Sequence, residues 1–228
     1  MKRYLTEYTI PTHWKPLIDH GRNRNGRSYI KSMMPGKPVE KSIPLWIILR
    51  RLYRESRSTY PVNKMVKKEK QNILINGKRP VDQRTPVMTL DHLTIGGELY
   101  RFELYRSKNS PITYRLVKVT DVQKLIVRKD QFMGEDRVSF LNGQRIHVDV
   151  TNVLPGSIWT SHGIQPPSKA KWIVRLTGKN KFVYCKVMEC TVDPVTAITK
   201  YVIDMEGRLE DIELSWQTLS KRSLGIIL

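Results

Sequence analysis

Lysine and arginine side chains are the groups whose number and spacing could do chemistry in this sequence, and that chemistry is phosphate binding. Residues 42–92 carry 11 Lys and Arg against 4 Asp and Glu. Few acidic residues lie one helical turn from these cations, so ion pairs within a helix leave most of the charge unbalanced. The cations of interest are Arg50, Arg51, Arg54, Lys64, Lys67, Lys68, Lys78 and Arg79. Their recurrence favours a nucleic-acid partner, and a merely solvated surface is the weaker alternative.

The first element that must position these cations is a predicted helix with an apolar stripe. Ser42 can cap the helix through its hydroxyl, and Pro44 is tolerated in a first turn. Apolar residues then follow the i, i+3, i+4, i+7 rule of an amphipathic helix. These residues are Leu45, Ile48, Leu49 and Leu52. The three arginines at positions 50, 51 and 54 fall largely outside this stripe, which leaves them available to a partner.

A second helix and a tight hairpin are predicted to complete the basic face. Pro61 suits the first turn of a helix, and Val62, Met65 and Val66 would then face inward. Residues 73–75 form a short apolar run before Asn76-Gly77. This dipeptide best accepts the positive φ angles of a two-residue hairpin turn. Lys78 and Arg79 follow the turn directly, so the hairpin should present them beside the helices.

Two basic helices followed by I-L-I-N-G-K resemble the S-four RNA-binding module. Further short motifs are P-T-H-W at 11–14, S-I-P-L at 42–45, I-L-R at 48–50, N-I-L-I-N-G-K at 72–78 and T-P-V-M-T-L-D-H-L at 85–93. Their order and spacing resemble those of the eukaryotic and archaeal small-subunit ribosomal protein family S-four-e. Residues 11–14, P-T-H-W, are similar to the P-x-H-W arm of the family. Residues 42–45 are similar to its L-P-L helix start, and residues 48–50 to its F-L-R. Residues 72–78 resemble its F-I-K-I-D-G-K strand and turn, and residues 85–93 its Y-P-x-G-x-M-D-V-I segment. The resemblance extends from about residue 11 to residue 164 and weakens beyond it.

Residues 1–41 are predicted to form a basic N-terminal arm that orders on a partner. They contain 9 basic and 3 acidic residues, and residues 21–27 have no apolar periodicity that could bury a core. His13 and Trp14 could stack on a nucleobase; at least as good an alternative is that Trp14 pins the arm to the module behind it. The resemblance implies that the arm threads into ribosomal RNA. The candidate contacts in this arm are His13, Trp14, Arg22, Arg24 and Arg27.

The rest of the chain is predicted to be a run of short strands. The predicted fold class is α+β, mostly β. Its parts are the arm at 1–41, an S-four-like helix–helix–hairpin module at 42–105, a central β domain at 106–165 that serves mainly as scaffold, and a last domain at 166–228. Pro166-Pro167 marks the boundary of that last domain. The resemblance implies that the last domain is an SH3-like barrel of the KOW type. Val183 and Lys186 stand where the KOW hairpin would have glycines, which places RNA contact by this hairpin in doubt.

The net charge of the chain limits the classes of partner that it can bind. The 228 residues carry a formal net charge of +19 with a pI of about 10.0, which favours a polyanion. An acidic membrane surface is the competing partner, but no apolar run approaches the roughly 18 residues of a membrane span. The first residues lack the continuous apolar core of a secretory signal. The expected location is therefore the cytoplasm, at the ribosome, with ribosomal RNA and neighbouring ribosomal proteins as partners and with no membrane or small-molecule substrate.

The sequence has no constellation that indicates catalysis or a metal site. It contains no G-x-S-x-G, P-loop or G-x-G-x-x-G motif. The five histidines are dispersed, and Cys185 and Cys190 lack the further ligands that zinc needs. We therefore expect no enzymatic activity and no cofactor. The predicted function is that of a structural constituent of the small ribosomal subunit. The alternatives are a non-ribosomal RNA-binding assembly factor and, less favoured, an RNA-modifying enzyme with an S-four module.

Overall fold

A computed structural model divides the chain into two compact units, residues 1–119 and residues 120–228. The structure describes residues 4–5, 11, 14, 30–31, 33–35, 37–55, 72–106, 111–141, 143–176, 181–221 and 224–228. The four-part division predicted from the sequence stays a prediction.

The first unit is built on a four-stranded antiparallel sheet. Its elements are β1 (Tyr4–Leu5), β2 (Ile30–Lys31), a 3-10 helix (Val39–Lys41), β3 (Ser42–Pro44), α1 (Leu45–Glu55), β4 (Ile73–Ile75), β5 (Pro86–Met88), β6 (His92–Ile95), β7 (Glu98–Tyr105) and β8 (Thr113–Lys118). Strands β4, β6, β7 and β8 form the sheet in that order, while β1 pairs with β2 and β3 with β5. The alternation of residues along β7 and β8 in the sequence indicated both of these strands.

Helix α1 starts at Leu45 and not at Ser42, which corrects the predicted cap. Ser42 lies in β3, opposite Met88 of β5, so its backbone is extended and belongs to a sheet. The first amide groups of the helix are satisfied from elsewhere: the N–H of Leu45 donates to Thr85 at 3.0 Å, and that of Trp46 donates to Gln83 at 2.8 Å. Carbonyl groups of the 83–85 loop therefore do what a capping side chain would do at this end.

The apolar stripe of α1 lies in the core as the sequence predicted. Leu45, Ile48 and Leu49 are fully buried, and Leu52 is half-buried. Ile47 is also buried, and its carbonyl accepts a hydrogen bond from the Tyr114 hydroxyl on β8 at 3.3 Å. Tyr114 in turn packs against Phe102 of β7, with ring centroids 5.8 Å apart. The helix is thus held against strand residues far away in the chain.

The second unit contains two five-stranded antiparallel sheets. Its elements are β9 (Lys124–Phe132), β10 (Glu135–Phe140), β11 (Arg145–His147), β12 (Ile158–Thr160), β13 (Gly163–Gln165), a 3-10 helix (Pro167–Lys169), β14 (Trp172–Arg175), β15 (Tyr184–Asp193), β16 (Ile198–Met205), β17 (Arg208–Leu214), α2 (Trp216–Lys221) and β18 (Leu224–Ile227). One sheet has the order β11-β10-β9-β12-β13 and the other the order β17-β16-β15-β14-β18. Leu125 and Ile158 of the first sheet share a core with Ile173, Tyr201 and Ile203 of the second.

These observations correct the predicted fold class. Of the residues that the structure describes, most are in strands, and the α-helices are two short ones, α1 and α2. The expected helix–helix–hairpin module is not shown: one helix precedes β4. The second predicted helix, which would begin at Pro61, lies within residues 56–71, outside the described residues. The last domain, residues 166–228, is expected from the resemblance to form an SH3-like barrel. Its described strands form one five-stranded sheet with β17 and β18 at the edges, and the barrel stays a prediction.

No helix in the described part of the chain is both long enough and apolar enough to cross a membrane.

Candidate nucleic-acid interface

The predicted turn at Asn76-Gly77 is confirmed, with φ angles of 51° and 78° at these two residues. The backbone of Ile75 and Lys78 closes it through two hydrogen bonds of 2.8 and 3.0 Å. Both turn residues have left-handed backbones, as a type I′ turn requires, and asparagine and glycine tolerate this conformation best.

The strands on either side of this turn do not form the expected hairpin. Ile75 and Lys78 make an isolated bridge, and after it the chain leaves the sheet. Strand β4 pairs instead with β6, where Ile75 lies opposite Leu93 and Ile73 opposite Ile95. The turn is therefore a protrusion on the edge strand of the sheet, and its shape depends on contacts with β6.

A buried carboxylate holds the turn in place. The side chain of Asp91 is 1% exposed, and its Oδ1 accepts a hydrogen bond from Asn76 Nδ2 at 2.7 Å. Its Oδ2 accepts from the backbone N–H of Met88 at 2.6 Å and pairs with the Lys37 ammonium group. A buried charge is tolerated where several donors replace its water shell, and Asp91 has three of them.

Asn76 also joins the backbone of β6 to the turn. Its Oδ1 accepts from the N–H of His92 at 3.0 Å, and its own N–H donates to the carbonyl of His92 at 2.8 Å. The backbone and side chain of one residue thus fix the turn to the strand beside it. Asp91 was not among the candidate residues from the sequence, because its role depends on contacts with residues 15 and 54 positions away.

The turn presents two cations to solvent. Lys78 and Arg79 are both exposed, and they follow directly on residues whose positions are fixed. They belong to the more strongly charged of the two units. Residues 1–119 hold 25 Lys and Arg against 9 Asp and Glu, which gives a net charge of +16. Residues 120–228 hold 15 Lys and Arg against 12 Asp and Glu, which gives a net charge of +3. The positive charge of the protein is therefore concentrated in the unit that carries the turn.

For the other predicted contact residues, the structure describes no side chain except that of Trp14. Arg50, Arg51 and Arg54 lie on α1, but their side chains are outside the described structure. The remaining basic and aromatic candidates lie outside the described residues altogether; they are His13, Arg22, Arg24, Arg27, Lys64, Lys67 and Lys68. The structure therefore shows the geometry of two of the predicted cations, Lys78 and Arg79.

Trp14 is placed in the interior. It is 1% exposed, and its indole N–H donates to the carbonyl of Ser42 at 2.9 Å. This is the pinning arrangement that the sequence offers as the alternative to base stacking. A base has no access to a ring buried in this way, so we leave Trp14 out of the proposed contacts.

Metal-ligating residues do not converge in the part of the chain that the structure describes: no group of three or more His, Cys, Asp or Glu side chains could hold an ion there. Cys185 is buried and Cys190 half-buried. Burial raises the pKa of both thiols, which disfavours the reactive thiolate.

Comparison with known proteins gives a distant structural likeness. No protein-family model matches the chain, and a search of curated proteins finds no match. Among solved structures, the chain is similar to the crystal structure of the 30S ribosomal protein S4e from Thermoplasma acidophilum. The two share 14% sequence identity at a TM-score of 0.49, over 75% of this chain and 95% of that one. This likeness is too distant to carry a function, which has to be argued from the residues of the chain itself.

Proposed function

We propose that this protein binds RNA through its first unit and acts as a structural constituent of the small ribosomal subunit. The observation that carries the RNA-binding proposal is the Asn76-Gly77 turn, a rigid protrusion that displays Lys78 and Arg79 in a unit of net charge +16. The assignment to the ribosome rests on the motifs that resemble the S-four-e family. No catalytic role is part of the proposal.

The mechanism is the neutralisation of phosphate charge at fixed positions. Cations that release counterions from RNA supply affinity without reading the sequence. Because Asp91 and Asn76 hold the turn from beneath, Lys78 and Arg79 lose little backbone freedom when they bind. A preorganised site of this kind binds more tightly than the same charges on a mobile loop. The arginines of α1 and the basic arm add further contacts in this proposal.

The test is a charge reversal with a matched control. The variant Lys78→Glu with Arg79→Glu changes the net charge by four and should lower the affinity of the full-length chain for small-subunit ribosomal RNA by tenfold or more. It should also reduce the slope of log affinity against log salt by about two. The control is Lys169→Glu with Lys171→Glu, exposed residues of the second unit, which makes the same change in net charge.

Three outcomes are informative. Loss of affinity in the first variant alone, with unchanged circular dichroism, supports an interface at the turn. Equal loss in both variants means that only net charge matters and contradicts it.

For the ribosomal assignment, the wild-type protein should sediment with mature small subunits in high salt; release from them under those conditions would instead indicate an assembly factor.

A further inference from the structure

The second unit has an exposed apolar tip at the hairpin between β9 and β10. Met133 and Gly134 form its two-residue turn, with φ angles of 53° and 81°. Met133 is 89% exposed, and Phe132 beside it is 47% exposed. Two large adjacent apolar side chains at the end of a projecting hairpin are costly to leave in water, which suggests that a partner covers them.

One arginine lies against the aromatic ring at this tip, and a second pairs with the same carboxylate as the first. The Arg137 guanidinium lies 4.8 Å from the centroid of the Phe132 ring, and its Nε donates to Asp130 Oδ1 at 2.8 Å. The Nε of Arg128 lies 3.2 Å from the other oxygen of Asp130. Asp130 therefore pairs with two arginines, one of which, Arg137, lies against the ring.

The register of the strands brings a third arginine to the same face. Ser139 of β10 lies opposite both Arg128 of β9 and Arg145 of β11. Since side chains alternate between the two faces of a sheet, Arg128 and Arg145 share one face with Asp130 and Phe132. The hydrogen bond from Arg137, together with the charges of Arg137, Arg128 and Arg145, holds the pKa of Asp130 below its usual value.

Acidic groups reduce this charge but do not cancel it. Glu135 lies opposite Phe132 and pairs with His147 at 3.0 Å, and Asp130 is shared between two arginines. Three arginines thus face two carboxylates. The even composition of residues 93–165, which have a net charge of +3, conceals this local excess, which is why the sequence predicts mainly a scaffold there.

Met133 occupies a backbone position that suits another residue better. The first residue of a type I′ turn is left-handed, and asparagine or glycine is preferred there. Asn76 follows this preference in the first unit, at φ 51°. An exposed methionine at such a position gives the fold nothing that asparagine would not, so its side chain is best explained by a contact.

We propose that this hairpin tip is a second RNA contact, which binds an unpaired RNA segment. One base stacks on the open face of Phe132, Met133 packs against the neighbouring base, and Arg128 and Arg145 bind the flanking phosphates. An aromatic ring beside cations that follow the backbone is how proteins bind single-stranded RNA. That the ligand is RNA rests on the proposed function; the placement of the site rests on the geometry of the hairpin.

The experiment measures binding of the full-length chain to two labelled RNA probes, a stem with a loop of about ten adenosines and a blunt duplex of equal length. Phe132→Ala should weaken binding to the stem-loop by about tenfold and to the duplex hardly at all. Phe132→Trp should keep the stem-loop affinity. Met133→Asn should raise the thermal stability and still lower the stem-loop affinity severalfold.

A matched control separates the effect of the turn conformation from the effect of the Met133 side chain. Glu206 occupies the same left-handed position, φ 53°, in the turn between β16 and β17, where it precedes Gly207. Glu206→Asn should likewise stabilise the protein but leave stem-loop binding undiminished. Loss of affinity in Met133→Asn and not in Glu206→Asn supports the site.

The remaining outcomes overturn one proposal or the other. If wild-type protein binds neither probe nor ribosomal RNA, the proposed function fails. If the Phe132 and Met133 variants bind both probes as tightly as wild type does, only the hairpin site fails. A protein partner then becomes the better occupant. Equal losses on stem-loop and duplex would exclude base stacking as the mode of binding.

Discussion

The side-chain amide of Asn76 donates a hydrogen bond of 2.7 Å to the buried carboxylate of Asp91. This contact joins the exposed turn to the sheet beneath it, because Asp91 also accepts from the N–H of Met88 and pairs with Lys37. The buried carboxylate of Asp91 therefore helps to position the exposed turn, although Asp91 itself is not at the surface. A residue of negative charge supports the placement of two positive ones.

This relationship predicts an unusual mutational effect. Asp91→Ala leaves Lys37 and Asn76 without their buried partner, and we expect it to lower the free energy of unfolding by about 3 kcal/mol. It should also weaken RNA binding, although the variant has one more unit of net positive charge. Chemical denaturation and a binding titration of the full-length chain measure the two effects.

Glu98→Ala is the control for that experiment. Glu98 is an exposed carboxylate paired with Lys118 at 2.5 Å, and its removal changes the net charge by the same amount. Its affinity for RNA should stay constant or rise. If Asp91→Ala also binds more tightly, net charge decides the affinity and the support of the turn is irrelevant to binding.

A second buried carboxylate predicts a graded effect in the same unit. Glu103 is 1% exposed on β7 and pairs with Arg101 at 2.7 Å on one side and with Arg115 at 2.7 Å on the other. Arg101 is nearly buried, whereas the side chain of Arg115 is 53% exposed. Glu103→Gln should therefore cost about 3 kcal/mol of stability, because it leaves a buried guanidinium without its counter-charge.

Arg115→Ala should cost only about 1 kcal/mol, because Arg115 is half exposed and Glu103 keeps Arg101 as its buried partner. The two variants are compared by urea denaturation of the full-length chain. Equal costs would mean that the burial of Arg101 has no influence and would contradict this account.

Local signals in the sequence predicted the elements better than their partners. The Asn76-Gly77 turn was predicted correctly because the left-handed backbone is a property of those two residues alone. The apolar stripe of α1 and the alternation along β7 were likewise visible over a few positions. Each of these features is decided within about one turn or one strand.

The misplaced features depend on residues far apart in the chain. Ser42 has a good capping side chain, yet it pairs with Met88 in a sheet, and carbonyls of the 83–85 loop satisfy the helix instead. Apart from the isolated bridge between Ile75 and Lys78, strand β4 pairs with β6 and not with the residues after its own turn. The net charge of residues 93–165 also gave no sign of the arginine cluster, since the arginines near Phe132 converge only when β9, β10 and β11 lie side by side.

The final prediction concerns a glycine in the core of the second unit. Gly156 has φ +92°, and a Cβ added to it would lie 2.8 Å from the Tyr201 hydroxyl. That hydroxyl is buried and donates to the carbonyl of Pro167 at 3.1 Å; burial raises the pKa of Tyr201 well above its usual value, so the proton stays in place. Gly156→Ala should therefore cost about 3 kcal/mol, from backbone strain and overpacking together.

Gly207→Ala separates the two causes. Gly207 has a similar φ of +86° but open space around it, so its replacement should cost only the strain of about 1–2 kcal/mol. Tyr201→Phe provides the second check, because it removes the oxygen that the new Cβ would meet. Alone it should cost about 1 kcal/mol for the lost hydrogen bond. Combined with Gly156→Ala, it should recover part of the stability lost by that variant. Additive losses in this double-mutant cycle, measured by urea denaturation, would show that the methyl group does not meet the hydroxyl.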